Sequence, residues 1–143
     1  MPMPMEYRQA SVDFDRFVED LKEVSMLSTS HQAYTMLQAV LQVFRRRLPV
    51  QQALEFANVL PPVLRAIFVS DWDSTEEMRE FGTEAEMMAE VRSLRYNHNL
   101  STDSAIRDVA EAVRRNIDPV VFDRALSRLP QAARDFWLMP VSA

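Results

Sequence analysis

Phe44-Arg45-Arg46-Arg47-Leu48-Pro49, followed by Leu60-Pro61 and Leu64-Arg65-Ala66-Ile67-Phe68, decides the fold because the chain writes it twice. The second writing is Val113-Arg114-Arg115-Asn116-Ile117-Asp118-Pro119, then Leu129-Pro130 and Ala133-Arg134-Asp135-Phe136-Trp137. Val40, Arg45, Arg46, Leu60, Pro61 and Arg65 recur identically as Val109, Arg114, Arg115, Leu129, Pro130 and Arg134, a shift of 69 residues. The agreement of proline breaks and apolar periods between the writings carries more weight than these identities. Proline cannot continue a helix but fits its first turn, so each break both stops one helix and starts the next.

Outward from these breaks the apolar spacing is helical. Residues 11–25 carry Phe14, Phe17, Val18, Leu21 and Val24, with Ser11 or Asp13 as cap candidates. Ser28-Thr29-Ser30 interrupts and can cap residues 31–48, where Tyr34, Leu37, Leu41, Phe44 and Leu48 repeat at steps of three and four. Residues 50–59 and 62–69 give two shorter helices between prolines. In the second half Met87, Met88, Val91 and Leu94 mark a helix capped by Thr83 after Gly82. After the polar break Tyr96-Asn97-His98-Asn99, Ser101 or Thr102 caps a helix bearing Ile106, Val109, Val113 and Ile117. Pro119 and Pro130 open the last two.

The spacing predicts an all-α fold: a compact helical bundle of two pseudo-symmetric four-helix repeats. Residues 1–10 are expected as a disordered tail, 11–138 as a single all-helical domain, and 139–143 as a tail. Within the domain, repeat one spans 11–70, an acidic linker 71–82, and repeat two 83–138.

Composition supports helices. With 143 residues the chain can bury its own core, and its single glycine leaves little room for hairpins or phosphate-cradling loops. The absence of cysteine excludes disulfides and thiolate metal sites and fits a reducing, cytoplasmic setting. No apolar run approaches a bilayer span, and Met1-Pro2-Met3-Pro4-Met5 lacks the pattern of a secretory signal. The net charge of −5 is concentrated in Asp71, Asp73, Glu76, Glu77, Glu80, Glu84, Glu86 and Glu90, which argues against nucleic-acid binding.

On Phe44 to Val50, Val59 to Trp72 and Leu129 to Trp137 the chain resembles a bacterial family catalogued as domain of unknown function 2267. The family pattern is an acidic–aromatic opening helix, a helix ending Arg-x-Arg-Leu-Pro, a helix ending Gln-Leu-Pro, then Leu-Arg and an aromatic-Trp tail, all repeated once. The likeness covers residues 11–138. Two departures stand out. The family link has Gly before Trp where this chain has Asp71-Trp72, and the second Arg-Leu-Pro has become Asn116-Ile117-Asp118-Pro119. The resemblance implies the two-repeat helical fold and carries no activity.

Several constellations invite chemistry. Asp71-Trp72-Asp73-Ser74-Thr75 after Ile67-Phe68-Val69 matches the nucleophile motif of haloacid-dehalogenase phosphatases, with Asp71 as nucleophile, Asp73 as general acid and magnesium between them. That chemistry needs the end of a buried parallel strand and a later lysine, but the one lysine is Lys22. A metal-dependent phosphatase-like enzyme is therefore the last of three readings. Read as a calcium loop, the segment has Glu76 where glycine is required and Gly82 where glutamate is required. A solvated linker or helix start accounts for its acids, and its rival is a weak, exposed cation site on Asp71, Asp73, Glu76 and Glu77. His31 and His98 lack a nearby third ligand, so no metal and no cofactor is expected.

Arg45, Arg46, Arg114 and Arg115 sit at helix C-termini, where a cation complements the helix dipole. Their rival role is contact with a small anionic ligand, through bidentate oxyanion bonds. Trp72 and Trp137 close the two writings; they are core anchors by default and a partner surface if exposed. The leading reading is a non-enzymatic interaction or scaffold module that takes a protein partner or associates with itself, without nucleic acid or membrane. Catalytic residues are expected to be none.

Overall fold

The computed structural model describes residues 3–94 and 104–138. Among them are nine α-helices and no strand: α1 (Met5–Arg8), α2 (Ala10–Ser25), α3 (Ser30–Arg45), α4 (Val50–Ala57), α5 (Pro62–Val69), α6 (Glu84–Leu94), α7 (Ala105–Asn116), α8 (Pro119–Ser127) and α9 (Gln131–Trp137). The all-α class and the helical bundle thus follow the sequence pattern.

The local chemistry explains the breaks. Thr29 begins α3 with a capping box: its hydroxyl accepts from Gln32 N, and its own N–H donates to the Gln32 side chain. Thr83 and Glu86 make the same exchange at the start of α6. Pro49, Pro61 and Pro130 are the N-caps of α4, α5 and α9, and Pro119 occupies the first turn of α8 behind the Asp118 cap. Residues 5–8, within the segment expected as an N-terminal tail, form the turn of α1, and Tyr7 Oη lies 3.3 Å from Arg65 Nη1. One expectation fails here. Neither Ser11 nor Asp13 caps α2; the N-cap is Gln9, without a side-chain bond, because α1 already delivers the chain in helical register. The Tyr96–Asn99 break and the Ser101 and Thr102 caps lie outside the described residues.

Packing crosses between the halves. The opening helix of the first half, α2, makes its widest contact with α7 of the second, and α6 in turn lies on α3. Like helices also meet: α3 touches α7, and α4 touches α8. Each half keeps its own α3·α5 or α7·α9 contact. The core is a ring cluster centred on Phe44, whose ring lies 4.9 Å from Phe56 and Phe136 and 5.2 Å from Trp137. Phe68 and Phe122 extend it. Each such ring contributes about 1.5–3 kcal/mol by burial, and edge-on pairs add about 0.5–1.5 kcal/mol. No helix among the described residues is long and apolar enough to cross a membrane.

Candidate functional site

Pro49 forces α3 to end, and the three arginines before it leave in different directions. Arg45 is buried at 4% exposure. Its Nη1 donates to Phe68 O and Ser70 O, both at 2.9 Å, and its guanidinium lies 5.4 Å from the Trp72 ring centre. These carbonyls close α5, so Arg45 complements the dipole of another helix rather than its own, unlike the local role read from sequence. Burial, and then repulsion from Arg46, lower its pKa. The ordinary guanidinium value is high enough that the cation persists.

Arg47 meets Glu90 of α6 in a two-pronged pair, Nη1–Oε2 at 3.1 Å and Nη2–Oε1 at 3.0 Å, and also donates to Val43 O at 2.8 Å. Arg46 reaches Glu90 at 3.3 Å and Glu76 at 3.4 Å. Arg79 adds a third guanidinium to Glu90 at 2.8 Å, while its backbone N–H donates to Arg46 O. Burial pushes the Glu90 carboxyl up, but the hydrogen bonds and charges of Arg47 and then Arg79 outweigh it and hold the group below the usual range. One carboxylate thereby ties α6 and the 71–82 segment to the end of α3.

The end of α7 repeats the plan with weaker parts. Arg114 Nε donates to Trp137 O at 3.2 Å, and Trp137 stands 69 positions after Phe68 as Arg114 stands after Arg45. Its guanidinium lies over Phe122 at 5.0 Å, and Nη1 pairs with the exposed Asp123 at 3.3 Å. Asn116, at the Arg47 position, donates to Ala112 O and to Asp20 of α2, both at 2.8 Å. Arg115 sits among Glu111, Glu23 and Asp20 at 3.2, 3.8 and 4.0 Å.

The four arginines are not gathered into one site. Arg45 and Arg46 line a 220 Å³ cleft with Trp72, whose rim carries Asp73, Glu76 and Glu77. Arg115 lines a separate 370 Å³ cleft with Asp13, Arg16 and Asp118, and Arg114 lines neither. Trp72 is partly exposed, but Trp137 is wholly buried against Phe56 and Phe136 and offers no surface. It is a core anchor and not part of a partner surface, because Phe56 stacks on its ring and Phe44, Phe122 and Phe136 meet it at steep angles.

Asp71 follows the end of α5 at φ 53°, not a strand, so the phosphatase motif lacks its scaffold. Asp73 accepts from Thr75 N and Oγ1; the hydroxyl bond and then the backbone bond lower its pKa, as in an ordinary turn. Among the described residues no group of three histidine, aspartate or glutamate side chains could hold a metal. His98 lies outside them. Sequence reasoning misses the pairing of Arg47 with Glu90, although a signal is present. Met87, Glu90, Val91 and Leu94 form one stripe, and an acid on a buried stripe asks for a buried cation.

The model of the uncharacterized conserved protein family DUF2267 matches residues 14–136, and the chain belongs to that family. No curated protein matches the chain.

Proposed function

We propose that this protein is a non-enzymatic interaction module. The carrying observation is that each of its candidate guanidiniums is already engaged with groups of the fold, although Arg45 Nε, Arg47 Nε and Arg114 Nη2 are buried without a hydrogen-bond partner. Arg45, Arg47 and Arg114 are bonded to backbone carbonyls, and Arg46 and Arg47 to Glu90. An incoming anion at Arg45 and Arg46 would have to displace these partners and pass Asp73, Glu76 and Glu77. A pseudo-twofold relation of the halves, supported by the paired α4·α8 and crossed α2·α7 and α3·α6 contacts, is part of the reading. So is a cytoplasmic setting, supported by the cysteine-free composition.

A thermal-shift screen against inorganic phosphate, pyrophosphate, nucleotides and divalent cations tests this. Ligand at 100 times its dissociation constant raises stability by about 2.7 kcal/mol. The expected result is no shift from any of them. A phosphate- or nucleotide-dependent shift that Arg46→Ala abolishes would replace this reading with an anion-binding one.

A further inference from the structure

We infer that the module associates with a second copy of itself through the face where α4 meets α8. The inference rests on the interaction-module reading and names its partner. Glu55, Phe56 and Val59 line one wall of a 110 Å³ groove there, and Arg124, Ala125 and Arg128 line the other. These are corresponding positions of the two halves: Glu55 and Arg124, Phe56 and Ala125, Val59 and Arg128 each stand 69 residues apart. Equivalent places therefore differ in charge, the acid Glu55 on α4 answering to the base Arg124 on α8, and Val59 just past α4 answering to Arg128 just past α8.

That asymmetry is self-complementary. A twofold axis between two copies sets α4 of each against α8 of the other, so each Glu55 faces a basic pair. These charges are uncommitted at home. Glu55 touches the exposed Gln51 at 3.4 Å, and among the described residues Arg124 and Arg128 form no ion pair. The apolar part is also in place. Val121 is 41% exposed and, with Val59, continues the groove into an adjoining 340 Å³ hollow over Leu60, Pro61 and Ile117. Burying the valines would supply the attraction, and the charges would select orientation.

The experiment is sedimentation equilibrium on the full chain, with thermal melts to show that each variant folds. Wild type is expected to dimerise with a dissociation constant that rises with salt. Glu55→Arg, and separately the double variant Arg124→Glu with Arg128→Glu, should each weaken self-association at least tenfold by facing like charges. Mixing these two variants should restore a dimer, because the base introduced on α4 of one then meets the acids introduced on and after α8 of the other. A monomeric wild type, or variants that dimerise as wild type does, would overturn the inference. Either result leaves the module reading standing unless the phosphate and nucleotide screen also turns positive.

Discussion

The ends of α3 and α7 solve one problem with unequal materials. Each must fasten an opening helix borrowed from the other half of the chain. At α3 the fastener is Arg47 on Glu90, with side-chain exposures of 6% and 11% and two direct bonds. At α7 it is Asn116 on Asp20, a neutral amide on a carboxylate that keeps 26% of its side-chain surface. The shared element is the carbonyl four residues back, Val43 or Ala112, which both side chains also bond. The difference teaches that the geometry belongs to the backbone, and the charge is an addition the first end makes where solvent is scarcer.

Removing the two carboxylates should break the comparison most strongly. Glu90→Ala leaves Arg47 buried without its counter-charge and should cost about 3–5 kcal/mol. Asp20→Ala leaves an amide that water can reach and should cost about 1 kcal/mol. Urea denaturation of both variants checks this; equal losses would mean that burial does not separate the ends.

The carbonyl clamps come next. Arg45→Met should cost about 2 kcal/mol, because Phe68 O and Ser70 O lose a charged donor in a buried setting. Arg114→Met loses one bond to Trp137 O and a half-exposed pair with Asp123, and should cost about 1 kcal/mol. The same urea titrations read both, and equal costs would deny the first clamp its greater burial.

Acid should erase the difference. The folded pKa of Glu90 lies below its unfolded value of about 4.3, so its stabilisation is complete above that pH. It is lost as pH falls through the lower, folded value. The gap between wild type and Glu90→Gln, measured from pH 7 downward, should therefore begin to narrow once the pH falls below about 4.3 and close further as acid is added. A gap that stays constant would show that packing, not charge, sets the cost.

Much of the frame is legible in the sequence because proline and apolar spacing act locally. Pro49, Pro61, Pro119 and Pro130 put the starts of α4, α5, α8 and α9 within a residue of their places. The crossing of α2 onto α7 and α6 onto α3 is not legible, since a stripe such as Phe17, Leu21 and Val24 states that a face is buried but not against what. For the same reason spacing assigns Arg45 to its own helix, when its acceptors lie 23 and 25 residues onward. Sequence leaves Trp137 open between surface and core. Only the convergence of Phe44, Phe56 and Phe122 around it decides.

The smallest effect separates charge from backbone where the first half closes. Asp71 has φ 53°, a left-handed conformation that aspartate tolerates and glycine adopts freely, at the position where the related sequence pattern carries glycine. Its carboxylate also supports Arg45, whose cation it favours. Asp71→Asn removes that charge while keeping a residue suited to the left-handed region, and should cost a few tenths of a kcal/mol, about the value of an exposed pair. Asp71→Gly removes the same charge and the left-handed cost together, so it should be more stable than Asp71→Asn by about 0.5 kcal/mol. Chemical denaturation of the two variants at low and high salt reads both quantities. If glycine gives no gain over asparagine, the turn at Asp71 is set by the Arg45 and Trp72 contacts, and the backbone there carries no strain to relieve.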